Sequence, residues 1–525
     1  MKSIPDNVSA VYHKLVALFF DATGGRDISL SGCQVTLANG RSMTIFADIA
    51  VAIADEAALH AMYGCKGSSG LRPCLLCVNV YNPMYGSEIV ERDPSRTSVC
   101  QSCSDIDLCK RASTDVLQAV ATKLKSSHAT LGVGAFKELE IRLGWKFQPH
   151  GVMYDEKFKY RLCPSKILVF DWMHILFVGG VFNNHGGLLL RSLRTLKISP
   201  ERVGNYVKMW HWPHHISVGV CPGDVFNEDR LRSSMAKGEL KCTASEGLSL
   251  VAVLAQFCEG LLTHRCSDVR KHARCFLDLA KVVSCIVLSG RQLTDRSVLK
   301  TRAKCHLDSF KAVYSEDECV PKFHYLLHLS TFESMPNCFV HERKHKNIKR
   351  WANQLFNTTG DWDASVLREV TSLHIAKLAA ATAITFAETP GLVEPRAPSK
   401  KIAPRILDVL GPEFAGATLQ TSRKARVNKY QFVSVGDLVL LGSVSSPTVG
   451  RVVLHVSVAV DELLEHATLV EEYAVTADHQ RCWKCRLTGT QTLFAMEEIV
   501  CGLVWAGDDI LTILKPLHVH RYADI

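Results

Sequence analysis

Cysteine pairs at the spacing of a metal knuckle are the most chemically specific feature of the sequence. Cys74 and Cys77 stand in Pro-Cys-Leu-Leu-Cys, and Cys100 and Cys103 form a second C-x2-C after 22 intervening residues. Two thiolates at this spacing bind one tetrahedral zinc from a tight turn, and a second pair would close a four-cysteine structural site. A competing partner set is His324 and His328 in PKFHYLLHL. At i and i+4 these histidines share one helical face, and with Cys74 and Cys77 they would make a Cys2His2 site. Spacing alone leaves both sets open, beside a third reading in which the histidines are ordinary helix residues hydrogen-bonded in the core or to solvent. Cys482 and Cys485 in RCWKC repeat the pattern, with His479 close by and Cys501 beyond; zinc ligands and buried thiols are equal readings there. Among the acids, Asp55 closes the apolar run IAVAIA and opens DEAALHAMYG. A carboxylate at a strand end is where a two-metal nuclease holds Mg2+, and the same position is that of a helix N-cap.

These residues need elements to hold them. Residues 8–20 predict an amphipathic helix, and Cys33–Leu37 and Met43–Ala54 predict two strands turned at Asn39-Gly40. From Cys65 to Cys109 the chain is rich in Gly, Ser and Pro with little periodicity, which predicts irregular structure in need of a metal staple. From about 112 to 390 the pattern is mainly helical, clearest at Leu248–Leu262, Cys275–Leu288 and Val366–Ala387, with ILVF at 167–170 as a short buried strand. EPRAPSKKIAPR at 394–405 reads as a linker. After it the alternation changes to β, predicting a small barrel or curled sheet. In QFVSVGDLVLL the period-two pattern breaks, so a bulge or bend is expected near Gly436.

Composition is that of a globular protein, with 47% hydrophobic and 22% charged residues and a net charge of +9. That excess suits an anionic partner without requiring one. The 20 cysteines are spread through helical, strand-like and loop segments behind an opening MKSIPDNVSA, which argues for reduced thiols rather than a secretory disulfide framework. Apolar stretches such as Leu248–Phe257 are too short to span a bilayer, so no membrane partner is expected.

Taken in order, Asp55, then Cys74-x2-Cys77, Asp171-Trp-Met-His174, His324-x3-His328 and Glu342 in VHERKHK resemble the transposase superfamily that includes the CACTA elements. More distantly they resemble the catalytic core of the vertebrate antigen-receptor recombinase. The resemblance runs from about residue 8 to about 350 and is most specific in the Asp55-to-Cys74 spacing and the FHYLLHL…ERKHK run. It implies an Asp-Asp-Glu two-metal enzyme on a ribonuclease H-like core, with Asp55 as the second catalytic Asp and Glu342 as the Glu. It also implies a structural zinc held by Cys74, Cys77, His324 and His328, and catalytic Mg2+. Asp171 and His174 carry over either as active-site neighbours or, for Asp171, as the cap of a helix beginning at Trp172. In that fold three strands and a helix precede the second Asp, whereas here one helix and a hairpin do. The resemblance therefore implies an amino-terminally truncated copy whose metal pair is poorly held.

The organisation expected is a partial ribonuclease H-like sheet at 1–64, a zinc segment at 65–110, a mainly helical insertion with the Glu helix at 111–393, the linker, and a β-rich domain at 406–525. The fold class is α/β plus a mainly helical insertion. On a helix Glu342, Lys346, Lys349 and Arg350 share a face, and with Arg343 and Lys344 they would set phosphate-binding bases beside a metal-binding acid. The expected partner is DNA, with a homo-oligomer possible, and the expected place is the nucleus. The alternative is a non-catalytic, zinc-stabilised DNA- or chromatin-binding protein.

Overall fold

The structure is a computed structural model, described over residues 7–21, 27–36, 40–85, 98–214, 222–289, 295–333, 335–339, 368–373, 390–414, 416–428, 431–442, 446–460 and 463–516. The chain divides into two compact units, residues 1–188 with 281–339, and residues 189–280 with 340–525.

The first unit begins with the helix Asn7–Phe20 and an antiparallel hairpin of β1 (Cys33–Thr36) and β2 (Ser42–Ile45), paired from Cys33 with Ile45 to Thr36 with Ser42. The expected strand Met43–Ala54 is thus shorter than its apolar pattern: the ladder stops at Ile45, and among the described residues no strand pairs with the residues that follow. Phe46 is 61% exposed. Pairing resumes at one residue, where Ala52 bridges Leu168 in parallel. Its N–H donates to Ile167 O at 2.7 Å, and Val169 N–H donates to Ala52 O at 3.1 Å. ILVF is therefore the partner of the IAVAIA segment, as a bridge rather than a full strand.

Each bridged segment runs three residues on into a capped helix. Asp55 caps Glu56–Tyr63, accepting from Ala58 N–H, and Asp171 caps Trp172–Phe177, accepting from Met173 N–H. Around this pair the core is aromatic and aliphatic, with Leu59, Leu75, Leu124, Phe158, Phe177, Phe310, Phe323 and Tyr325 fully buried. Helices Thr114–Thr130, Arg296–Tyr314 and Pro321–His328 supply much of it. In the cysteine-rich segment β3 (Val80–Tyr81) and β4 (Val99–Cys100) form a two-residue parallel pair.

In the second unit the helix Ala244–Leu261 starts at a capping box of Thr243 and Glu246; of the helix Ser267–Ser289 that follows, residues up to Ala280 belong to this unit. The predicted helix Val366–Ala387 is described only at 368–373, which are helical.

A C-terminal antiparallel sheet domain follows. Strands β5 (Gly391–Val393), β7 (Lys424–Asn428) and β8 (Gln431–Ser434) form one sheet in the order β5-β7-β8. The larger sheet comprises β6 (Thr418–Ser422), β9 (Leu438–Gly442), β10 (Pro447–Val460), β11 (Leu463–Asp478), β12 (Cys482–Ala495), β13 (Ile499–Gly502), β14 (Trp505–Ala506) and β15 (Ile510–Leu514). Its order is β13-β9-β10-β11-β12-β15-β14, with β6 also on β10. QFVSVGDLVLL is two strands in two sheets, turned at Gly436 with φ +93°, a left-handed conformation that a Cβ disfavours. Asp437 locks that corner by accepting from Ser434 N–H at 2.8 Å. Trp483, Leu438, Leu440, Val449, Cys485, Leu511 and Ile513 pack one buried cluster.

The stretch 394–405 is not a free tether. β5 pairs with β7 just before it, Arg396 and Thr421 exchange both backbone hydrogen bonds at 2.9 and 2.7 Å, and the helix Ala403–Leu410 begins inside it. Ile406 of that helix is buried with Val456 and Val458. The helix's one proline, Pro404, fits because it lies in the first turn, where no N–H is needed.

Candidate metal centre

The loop bearing Cys74 and Cys77 is held by backbone bonds rather than by a regular element. Val78 N–H donates to Lys110 O at 3.0 Å and Ala112 N–H to Leu76 O at 2.8 Å, with Cys77 bridged to Arg111. Asn79 clamps the same turn, donating to Leu108 O at 2.9 Å and accepting from Lys110 N–H at 2.7 Å. Leu76 N–H points back at Cys74 Sγ at 3.3 Å, which is the amide-to-sulfur bond of a C-x2-C knuckle.

Opposite it stands the helix Pro321–His328, started by a proline at its first position. One turn brings His324 and His328 to the same face. Tyr325 docks the helix on the knuckle, its hydroxyl donating to Pro73 O at 2.9 Å while Phe170 stacks on its ring at 4.7 Å.

Cys74, Cys77, His324 and His328 thereby converge, with one ligand atom from each within 4.8 Å of the others. His328 Nε2 lies 3.4 Å from Cys74 Sγ, 3.2 Å from Cys77 Sγ and 3.1 Å from His324 Nε2. A tetrahedral zinc would set S···N edges of about 3.5 Å and N···N edges of about 3.3 Å, so the donor types and their spacing fit zinc. All four side chains are buried, none above 4% exposed. Four protein donors leave no open position, which marks a structural rather than a catalytic site. Electrostatics favour separated charge here: burial raises the Cys74 thiol, but a hydrogen bond from Cys77 and the two imidazoles outweigh it and bring it well below its usual value. Burial depresses His324, yet the Cys74 charge and hydrogen bonds with Cys109 and Cys74 lift it to about 9. His328 is pushed down, chiefly by burial.

No family model, curated protein or solved structure matches the chain.

Cys100 and Cys103 do not face Cys74 and Cys77. Cys100 lies in β4, and the free thiol of Cys103 hydrogen-bonds with that of Cys109; both Cys103 Sγ and Cys109 Sγ point at Asp105 O, each at 3.6 Å. Cys109, a free thiol which spacing did not single out, also hydrogen-bonds with Cys77 and His324 and so borders the site. Its signal is structural: the backbone pairing of 77–78 with 110–112 carries it there. Cys482 and Cys485 lie in one unbroken run of β12 pairs, opposite Leu514 and Leu511. Three residues apart in a straight strand, they project to opposite faces and cannot form a knuckle. Burial raises both thiols, Cys485 to about 11.

Asp55 is exposed, and its Oδ1 accepts from Ala58 N–H at 2.6 Å. Asp171 is buried; its Oδ1 accepts from Met173 N–H at 3.1 Å and Cys338 N–H at 3.2 Å, and its Oδ2 pairs with His174 Nδ1. Cys338 is a second residue that the spacing of motifs did not flag. Lys322, two residues before His324, donates to His174 O at 3.3 Å and Val178 O at 2.6 Å, tying the two helices together. Glu342, Arg343, Lys344, Lys346, Lys349 and Arg350 lie outside the described residues.

Proposed function

We propose that the protein is a transposase-derived DNA-binding protein, built on part of a ribonuclease H-like core, in which a structural zinc fixes the helix that leads toward Glu342. The observation that carries this reading is the convergence of Cys74 and Cys77 with His324 and His328 across 254 residues of chain, the set that the resemblance implies. The parallel Ala52–Leu168 bridge supports it, because Asp55 and Asp171 then stand at equal offset at the same end of a parallel pair. In the complete family, Mg2+ held by three carboxylates would activate water for strand cleavage and then the 3′ hydroxyl of the cleaved DNA strand for transfer. Here Asp55 and Glu342 are the residues that would bind such ions, and Arg343, Lys344, Lys346, Lys349 and Arg350 would hold phosphates. A DNA-binding protein of this kind works in the nucleus, alone or as a homo-oligomer.

Engagement of Asp55 Oδ1 as a helix cap favours binding without cleavage by this chain. The test is the full chain on plasmid DNA with Mg2+, read for retardation and for nicking. Retardation that weakens with salt, without nicking, is expected. Nicking that Asp55→Ala and Glu342→Ala abolish would assign a complete active site, and no retardation at low salt would overturn the DNA reading altogether.

A further inference from the structure

Beyond the Cys2His2 centre, a second cluster of metal-type donors lies in the same unit. Asp171, His174 and Cys338 each offer one ligand atom within 4.8 Å of the other two, and all three are buried. Phe170 stands between the two clusters, 5.6 Å from the His328 ring and next in sequence to Asp171. They are therefore separate sites.

We propose that Asp171, His174 and Cys338 bind a second divalent transition-metal ion, with zinc the best match. A carboxylate, an imidazole and a thiolate are each zinc ligands, and their combination, one soft donor with two harder ones, disfavours Mg2+ and Ca2+, which take oxygen alone. The backbone around the cluster is arranged for ligation. Asp171 Oδ1 is occupied by two N–H donors, from Met173 on its own helix and from Cys338, so the carboxylate is oriented and Oδ2 is left facing His174 Nδ1. The Cys338 N–H bond fixes the same backbone from which the thiol projects, so one carboxylate positions a ligand as well as being one. Trp172 packs edge-on against Phe339 at 5.5 Å and walls one side. Three protein donors leave a fourth position for water or another group, unlike the closed Cys2His2 site. The ion would cross-link the Trp172–Phe177 cap to residue 338, four residues before Glu342. Donor set and geometry alone support this site, which stands whether or not the protein binds DNA.

Zinc content per chain, measured on the full-length protein purified with zinc and dialysed against metal-free buffer, tests it. Two zinc per wild-type chain are expected, falling to one in Cys338→Ser and in Asp171→Asn. Asparagine retains an oxygen to accept from Met173 and Cys338 N–H, so that variant keeps the helix cap while losing the anionic ligand. Cobalt substitution gives a second readout: Cys338→Ser removes one thiolate-to-cobalt absorption component and leaves that of the Cys74–Cys77 pair. One zinc in the wild type, or two that persist in Cys338→Ser and fall instead in Cys109→Ser, would overturn the assignment.

Discussion

Replacing His328 with alanine perturbs the candidate metal centre at a ligand in contact with all the others. Its Nε2 lies 3.1 to 3.4 Å from each of the other three donors, and the residue is 2% exposed. Structural zinc in small folded modules is worth about 10–16 kcal/mol of apparent binding energy, so each of four ligands carries roughly 2.5–4 kcal/mol, or about two to three decades of affinity. At a free zinc level about 1,000-fold above the dissociation constant, zinc stabilises the native chain by about 4 kcal/mol, and loss of two to three decades removes most of that. The imidazole also leaves two thiols and His324 buried without one of their partners, adding a cost of about 1–3 kcal/mol. The assay is calorimetric unfolding of wild type and His328→Ala, each with and without a zinc chelator, alongside zinc analysis. Chelator should lower the wild-type transition markedly and the variant's little, with the variant holding less zinc. Equal zinc content and a chelator-insensitive wild type would refute the reasoning.

Tyr325→Phe removes the hydroxyl bonded to Pro73 O, and should cost about 1–2 kcal/mol in denaturant unfolding while zinc content stays unchanged. Asp55→Ala deletes a helix cap and should cost about 1 kcal/mol, with Asp55→Asn close to wild type in the same measurement. Gly144→Ala places a Cβ 2.5 Å from Arg72 O at φ +74°, and should lower stability by about 2–3 kcal/mol in thermal unfolding. His455 is fully buried between Thr468 Oγ1 and Val433 O, and burial depresses its pKa to about 4 from 6.5. The unfolded state therefore binds the proton more readily, and stability present above pH 6.5 falls as pH drops toward 4. Between pH 7 and pH 5 this group should cost about 2 kcal/mol, seen as a narrowing of the stability gap between wild type and His455→Gln.

Helices were legible where burial repeats along them. The Asn7–Phe20 and Ala244–Leu261 helices match their apolar patterns to within one turn, whereas the Ser267–Ser289 helix ends where expected but starts two turns before Cys275. The break of alternation at Gly436 also shows in the sequence, because a turn between two sheets needs its positive φ. Strand extent was not legible: Phe46 to Val51 is as apolar as a strand, but a strand exists only where a neighbour supplies hydrogen bonds. C-x2-C spacing was ambiguous for a related reason, since its meaning depends on the backbone. In a turn Cys74 and Cys77 converge, whereas in β12 Cys482 and Cys485 diverge. Spacing could nominate His324 and His328 but not choose them over Cys100 and Cys103, because the choice is made by tertiary docking through Tyr325 and Phe170. Cys109 and Cys338 carried no local signal, being delivered by pairing with distant segments.

The salt dependence of DNA binding by the full chain tests the central claim most directly. If the five basic residues from Arg343 to Arg350 hold phosphates, the logarithm of affinity should fall with the logarithm of salt at a slope of up to about −4.5. Lys346→Ala and Lys349→Ala should each make the slope shallower by about one unit and weaken binding to all sequences alike. Binding that ignores salt, or no binding near 50 mM salt where such contacts are strong, would contradict the account.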